Sequence, residues 1–226
     1  TLPHVESAER SGSGGGGYFS NLAEGLRHVR SNQVIVVTLI ITIVMNMFGF
    51  PYQHMVPVIG AETLNVGPLL IGVLLAVEGV GATTGSLVIA LGARPGGYTK
   101  IYSIGSVLFL TAILLFSLSP SFWMAIPILL IGGFAMSGFT TMQSVIVITS
   151  TPSEIRGRVL GVLAASVGTG PFGALLVGAL ATWWGANHAV TAIAVVGLTL
   201  TVISLLIWPS YLKSSVRQSG SGPAVN

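Results

Sequence analysis

The sequence predicts an all-α membrane protein with six transmembrane helices, and three observations predict it. Six apolar stretches approach or exceed the roughly 20 residues that cross a bilayer as a helix. Hydrophobic residues make up 52% of the chain and charged residues only 7%, against about a quarter charged in a soluble domain. The nine Lys and Arg residues fall only in alternate connections. Arg10, Arg27 and Arg30 precede the first stretch, Arg94 and Lys100 lie between the second and third, Arg156 and Arg158 between the fourth and fifth, and Lys213 and Arg217 after the sixth. The three other connections have none. Retained loops carry Lys and Arg while short translocated loops do not, so both termini are expected in the cytoplasm. The expected location is a cell membrane, inner or plasma, crossed several times.

Residues 1–17 are polar and end in Ser11-Gly-Ser-Gly-Gly-Gly-Gly17, which reads as a flexible linker. The Gly-Lys-Ser/Thr of a phosphate loop is missing there. Residues 18–32 read as a cytoplasmic amphipathic helix. Phe19, Leu22, Leu26 and Val29 form its apolar face, and Asn21 and Glu24 its cap; a plain extension of the first span fits the pattern equally. The transmembrane bundle covers 33–208 and a cytoplasmic tail 209–226. Its first span runs from about Gln33 into the late fifties, with Pro51 expected to kink it. The others run over about Pro68–Gly92, Ile101–Leu118, Phe122–Thr149, Val159–Trp184 and Ala189–Trp208. Trp123, Trp183, Trp184, Trp208 and Tyr211 fall near span ends, as an aromatic belt requires.

Several function classes are excluded. A pI near 9.6 hints at nucleic acid, but the net charge is only +3 and is spread over four regions, whereas phosphate binding wants a basic cluster. With no Cys there are no disulfides, thiolate metal sites or cysteine nucleophiles. No Ser/His or His/Asp constellation and no metal-ligand set appears within the spans, so an enzyme, a cofactor and a metal are not expected. His54 reads as interfacial, because no second ligand stands at helical spacing from it. No cleavable signal precedes the first span and residue 1 is Thr, so the chain is expected to be processed or part of a longer protein.

Polarity inside the spans marks the candidate sites. Glu78 is the one carboxylate well within a span, where a charge costs about 2.5–3.5 kcal/mol and must face protein or water. Gly85 lies about 20° away around the helix, flanked by Gly81 and Ala82. Such small residues let another helix approach. Glu78 is therefore a candidate proton-binding site, or else a hydrogen-bonded structural acid. Thr42, Asn46 and Gln53 of the first span fall within about 40° of one another on an ideal helix, with Pro51 expected to disturb the last position, and Ser137, Thr140, Thr141 and Ser144 share a face of the fourth with Gln143 beside it. Both stripes fit a substrate path or interhelical hydrogen bonding. In the fifth span Ser166, Gly170, Ala174 and Gly178 form a predicted close-packing edge with a bend at Pro171.

The stretch Thr151-Pro-Ser-Glu-Ile-Arg-Gly-Arg-Val-Leu-Gly161 strongly resembles the loop before the eleventh helix of major facilitator superfamily exporters. Leu22-Ala-Glu-Gly-Leu-Arg-His-Val-Arg30 resembles the segment leading to their seventh helix. Phe50-Pro-Tyr, Val56-Pro57 and Gly72-Val-Leu-Leu-Ala-Val-Glu-Gly-Val-Gly-Ala82 continue the resemblance in order. It covers roughly residues 18–210 and is closest to the drug and siderophore efflux branch that includes the enterobactin exporter. The resemblance implies a major-facilitator-type half bundle, the carboxy-terminal six helices of a twelve-helix transporter. Substrate passes between two such halves by alternating access. Its implied partners are a small amphipathic substrate, protons, the bilayer and an amino-terminal six-helix half or a second copy. A split or truncated protein that assembles without transporting is the alternative. The family's loop after its eighth helix often carries Gly-x-x-x-Asp-Arg-x-Gly-Arg; here Ala93-Arg94-Pro-Gly-Gly has no Asp, so its charge lock should be weak or absent. Glu154, Arg156 and Arg158 remain as candidates for cytoplasmic gating contacts, or serve as orientation signals and lipid anchors.

Overall fold

The computed structural model describes residues 32–213. The linker 1–17, the amphipathic segment 18–32 up to its last residue, and the tail from 214 lie outside the described residues. Among the described residues every regular element is helical. Six helical spans are long and apolar enough to cross a membrane: Gln33–Glu62, Pro68–Gly92, Tyr98–Ser117, Phe122–Thr149, Arg156–Trp184 and Ala186–Ile207. A bilayer offers the backbone no water, so each span must satisfy its own N–H and C=O groups. The second and fourth spans have the bounds expected from the sequence. The third, fifth and sixth begin three residues early, because hydropathy marks only the apolar part of a helix whose first turn is polar.

Local chemistry sets the ends. Asn32 caps the first span, its Oδ1 accepting from Val34 N at 3.0 Å. Pro68 occupies the first turn of the second, where a missing N–H costs nothing. Gly185 alone joins the fifth span to the sixth with φ of 81°, a left-handed conformation free of penalty only for glycine.

The kink expected at Pro51 is a longer interruption. The first span is α-helical over Gln33–Val44, widens to a π turn at Met45–Gly49, tightens to a 3-10 turn at Phe50–His54, and resumes as an α-helix over Val56–Glu62. Proline has no N–H for the ladder, and a wide turn followed by a tight one accommodates that loss.

The fourth span is the spine of the bundle, with the second on one flank and the third on the other. Glycines permit both crossings. Gly81 and Gly85 of the second span lie against the fourth-span backbone at Leu130 and Phe134, and Gly133 answers by lying against the Glu78 carbonyl. On the other flank, a Cβ at Gly105 would sit 2.7 Å from the Ala135 carbonyl oxygen and 3.1 Å from the Gly138 Cα. Backbone-to-backbone approach of this kind is what small residues contribute in lipid. An aromatic core fills the space between the first, third and fourth spans. Tyr102 stacks on Phe139 at 5.3 Å, and Tyr52 meets Phe109 edge-on at 5.8 Å.

The fifth span departs from the expected small-residue edge. Its helix breaks after Val167 and restarts at Gly170, with Pro171 in the new first turn. The break turns the contact face. Gly173 is the close-packed glycine, against the Met47 carbonyl and 2.6 Å from Pro51 Cγ as measured from a Cβ built on it. Gly170 has only Asn46 Oδ1 at 3.9 Å and Gly178 has nothing within 4 Å.

Hydrogen bonds tie the two ends. At the end without basic residues, Thr63 Oγ1 donates to Asn187 Oδ1 at 2.6 Å. Asn187 Nδ2 donates to the Ser117 carbonyl at 3.0 Å, and Ser117 and Thr191 share a hydroxyl contact of 2.9 Å. At the basic end, the Tyr102 hydroxyl donates to the Thr38 carbonyl at 2.9 Å and meets Thr42 Oγ1 at 3.0 Å. The Tyr211 hydroxyl, from the short helix Ser210–Lys213, meets Thr38 Oγ1 at 2.9 Å. Tyr211 is thus fully buried rather than part of a belt, while Trp123, Trp183 and Trp184 are exposed.

Candidate functional site

Glu78 sits where the second span crosses the fourth. It is only 4% exposed, since Gly133 lets the helices close over it. Its Oε1 accepts a hydrogen bond of 3.2 Å from Gln53 Nε2 of the first span. The buried Tyr52 places its hydroxyl near the Glu78 carboxyl. Both partners come from the 3-10 turn Phe50–His54. The Glu78 carboxyl therefore meets the first span where that span leaves α-helical geometry. The result is a single carboxyl enclosed by protein where the first, second and fourth spans meet.

The remaining candidates do not join this group. Asn46 is buried, but its Nδ2 donates back to the Thr42 carbonyl at 2.8 Å and its Oδ1 faces Gly170 of the fifth span. The predicted Thr42–Asn46–Gln53 stripe is therefore divided: Thr42 bonds the third span, Asn46 faces the fifth and Gln53 the second. The π turn between Asn46 and Gln53 changes the rotation that an ideal helix would carry through. Gln143 is half-buried, and its Oε1 is buried without a hydrogen-bond partner. It lies ten residues beyond Gly133, about 15 Å along the fourth span. Ser137 and Thr140 spend their hydroxyls on their own helix, on the carbonyls of Phe134 at 2.6 Å and Met136 at 3.2 Å.

At the basic end, Glu154 is fully exposed and its carboxyl is held below the usual carboxylate range by its own backbone N–H, by the Ser153 hydroxyl and by Arg156. Ser153 Oγ donates to Glu154 Oε1 at 2.8 Å. Arg156 Nη2 donates to the Thr151 carbonyl at 3.4 Å, while its Nε is buried without a hydrogen-bond partner. Arg158 is half-buried on the next half-turn.

Sequence reasoning found Glu78 by its isolation in an apolar run and Gln53 by its polarity. It missed Tyr52, which reads as one more core aromatic, and Gly133, whose spacing gives no sign of which helix it faces.

The family model described as transmembrane secretion effector, within the major facilitator superfamily, matches residues 11–218. Searches of curated proteins and of solved structures give no significant match. A multi-pass, six-span helical bundle and a match along nearly the whole chain agree: the chain belongs to the transmembrane secretion effector family of major facilitator transporters.

Proposed function

We propose that this chain is the carboxy-terminal six-helix half of a proton-driven exporter of small amphipathic molecules. The observation that carries the reading is the Glu78 carboxyl, buried in an apolar crossing and hydrogen-bonded by Gln53 at 3.2 Å, with Tyr52 nearby. Gln53 and Tyr52 sit on the 3-10 turn that interrupts the first span, so rocking of that span against the second would make and break the contacts with the acid. Proton uptake then couples to alternating access between two halves. The sequence resemblance to drug and siderophore exporters supports the substrate class. The basic-residue asymmetry supports cytoplasmic termini in an inner or plasma membrane, with Glu154, Arg156 and Arg158 as gating contacts at the cytoplasmic end.

The test is Glu78→Gln in the intact protein, reconstituted in vesicles with an imposed pH gradient. Gln keeps size and a hydrogen bond to Gln53 but carries no titratable proton. Gradient-driven substrate accumulation should fall to the level of protein-free vesicles, while substrate exchange without a gradient persists. Gradient-driven accumulation by the variant would overturn the proton role.

A further inference from the structure

A groove of about 440 Å³ opens at the basic end between the second and third spans, floored by the fourth. Val88, Ile89, Ile101, Ile104, Leu108 and Phe134 line its walls. Gly92 contributes no side chain and a Cβ there would meet nothing within 4 Å, while Gly105 and Gly138, packed on each other, draw the third and fourth spans together beneath it. Lys100 is the one charged residue in the lining, and no acidic residue shares it. Arg94, one short turn away across Pro95–Gly97, is exposed. The groove is therefore apolar along its depth and positive at its mouth, at a span end where the hydrocarbon meets the headgroups. Its charge and shape suit a chain of methylenes ending in a phosphate.

We propose that the groove is a specific site for an anionic phospholipid of the bilayer, one acyl chain lying between the second and third spans and the phosphate bound by Lys100 and Arg94. A neutral, zwitterionic lipid satisfies the apolar walls equally but leaves both cations without a net countercharge, so selectivity for anionic lipid resides in these two residues. Lys and Arg near the ends of spans do present their heads to the headgroup layer. The groove gives this general tendency a defined chain-binding slot. The inference is independent of the proton reading, since Glu78 lies elsewhere along the second span.

The chain contains no Cys, so Leu91→Cys, at an exposed position beside the groove, accepts a single fluorophore in this half. The labelled intact protein is reconstituted in phosphatidylcholine vesicles doped with brominated phosphatidylglycerol or brominated phosphatidylcholine, and quenching is read against mole fraction. Two basic residues should give an anionic preference of roughly tenfold or more. The double variant Arg94→Gln/Lys100→Gln should quench equally with both lipids. Gly92→Phe should weaken quenching by either, because its side chain enters space where a Cβ meets nothing within 4 Å, so the variant folds and only the slot is filled. Equal quenching in the parent protein, a preference surviving loss of both cations, or an absence of lipid quenching because another protein surface covers the groove would each overturn the site.

Discussion

The second and fifth spans both repeat small residues every fourth position, Gly81 and Gly85 in one, Gly170, Ala174 and Gly178 in the other. In the second span the repeat is a contact surface: a Cβ at Gly85 would lie 2.7 Å from the Phe134 carbonyl oxygen. In the fifth the repeat faces open space at Gly178, and the contact has moved to Gly173. Two things separate them. The second span is one unbroken helix, so the stripe keeps its direction for its whole length. Its partner also carries a glycine, Gly133, at the facing level. The fifth span restarts at Gly170 behind a break, and its face is set by where Pro51 and the π turn of the first span protrude. Small-residue spacing shows that a close approach is permitted; the partner's shape decides whether one is made.

The sharpest way to break this comparison is Gly81→Leu. Its Cβ would fall on the Leu130 carbonyl, a backbone atom that cannot rotate away. The cost should exceed the roughly 1–3 kcal/mol usual for overpacking, because the second span has few other neighbours: only 22% of its most apolar window is buried, against 61% for the first span. The expected outcome is loss of the monodisperse species after detergent extraction, with loss of transport, since the same crossing holds Glu78. A stable Gly81→Leu protein would show that the second span can find another seat.

Gly173→Ala tests the contact that the fifth-span stripe failed to predict. The added methyl would meet the Met47 carbonyl, Pro51 Cγ at 2.6 Å and the Asn46 carbonyl at 2.9 Å. Those atoms belong to the π turn and the proline after it, an irregular segment able to give somewhat. A destabilisation of about 1–3 kcal/mol in thermal or denaturant unfolding is expected. It should be accompanied by weakened hydrogen exchange protection over Met45–Gly49, which an unrelated packing defect would leave unchanged.

Legibility followed the same division. Span number and most boundaries could be read from the sequence because the bilayer imposes length and apolarity on each helix alone. Glu78 could be read because one carboxylate in an apolar run is conspicuous without knowledge of its neighbours. What could not be read depended on rotation between elements. On an ideal helix Gln53 shares a face with Thr42 and Asn46; Pro51 signals that Gln53 is displaced, but not that the π and 3-10 turns direct the three residues to three different spans. Tyr211 looked like a belt residue, yet the turn after Ile207 folds it onto Thr38. Asn187 carried no signal at all, because the loops it fastens are distant in sequence.

The smallest expected effect is the most discriminating. Gly178→Leu places a large side chain in the stripe that the sequence marks as a packing edge, at a position where a Cβ meets nothing within 4 Å. If the edge were used, this variant would resemble Gly81→Leu. With the contact at Gly173 instead, the added leucine faces lipid. Stability should then stay within about 0.5 kcal/mol of the parent, and it should rise if anything, because Leu is a better helix former than Gly. Parallel melting curves of Gly81→Leu, Gly173→Ala and Gly178→Leu in one detergent read the comparison directly. A severe defect at Gly178 would mean that another helix seats on the exposed side of the fifth span, and that its glycines face a partner after all.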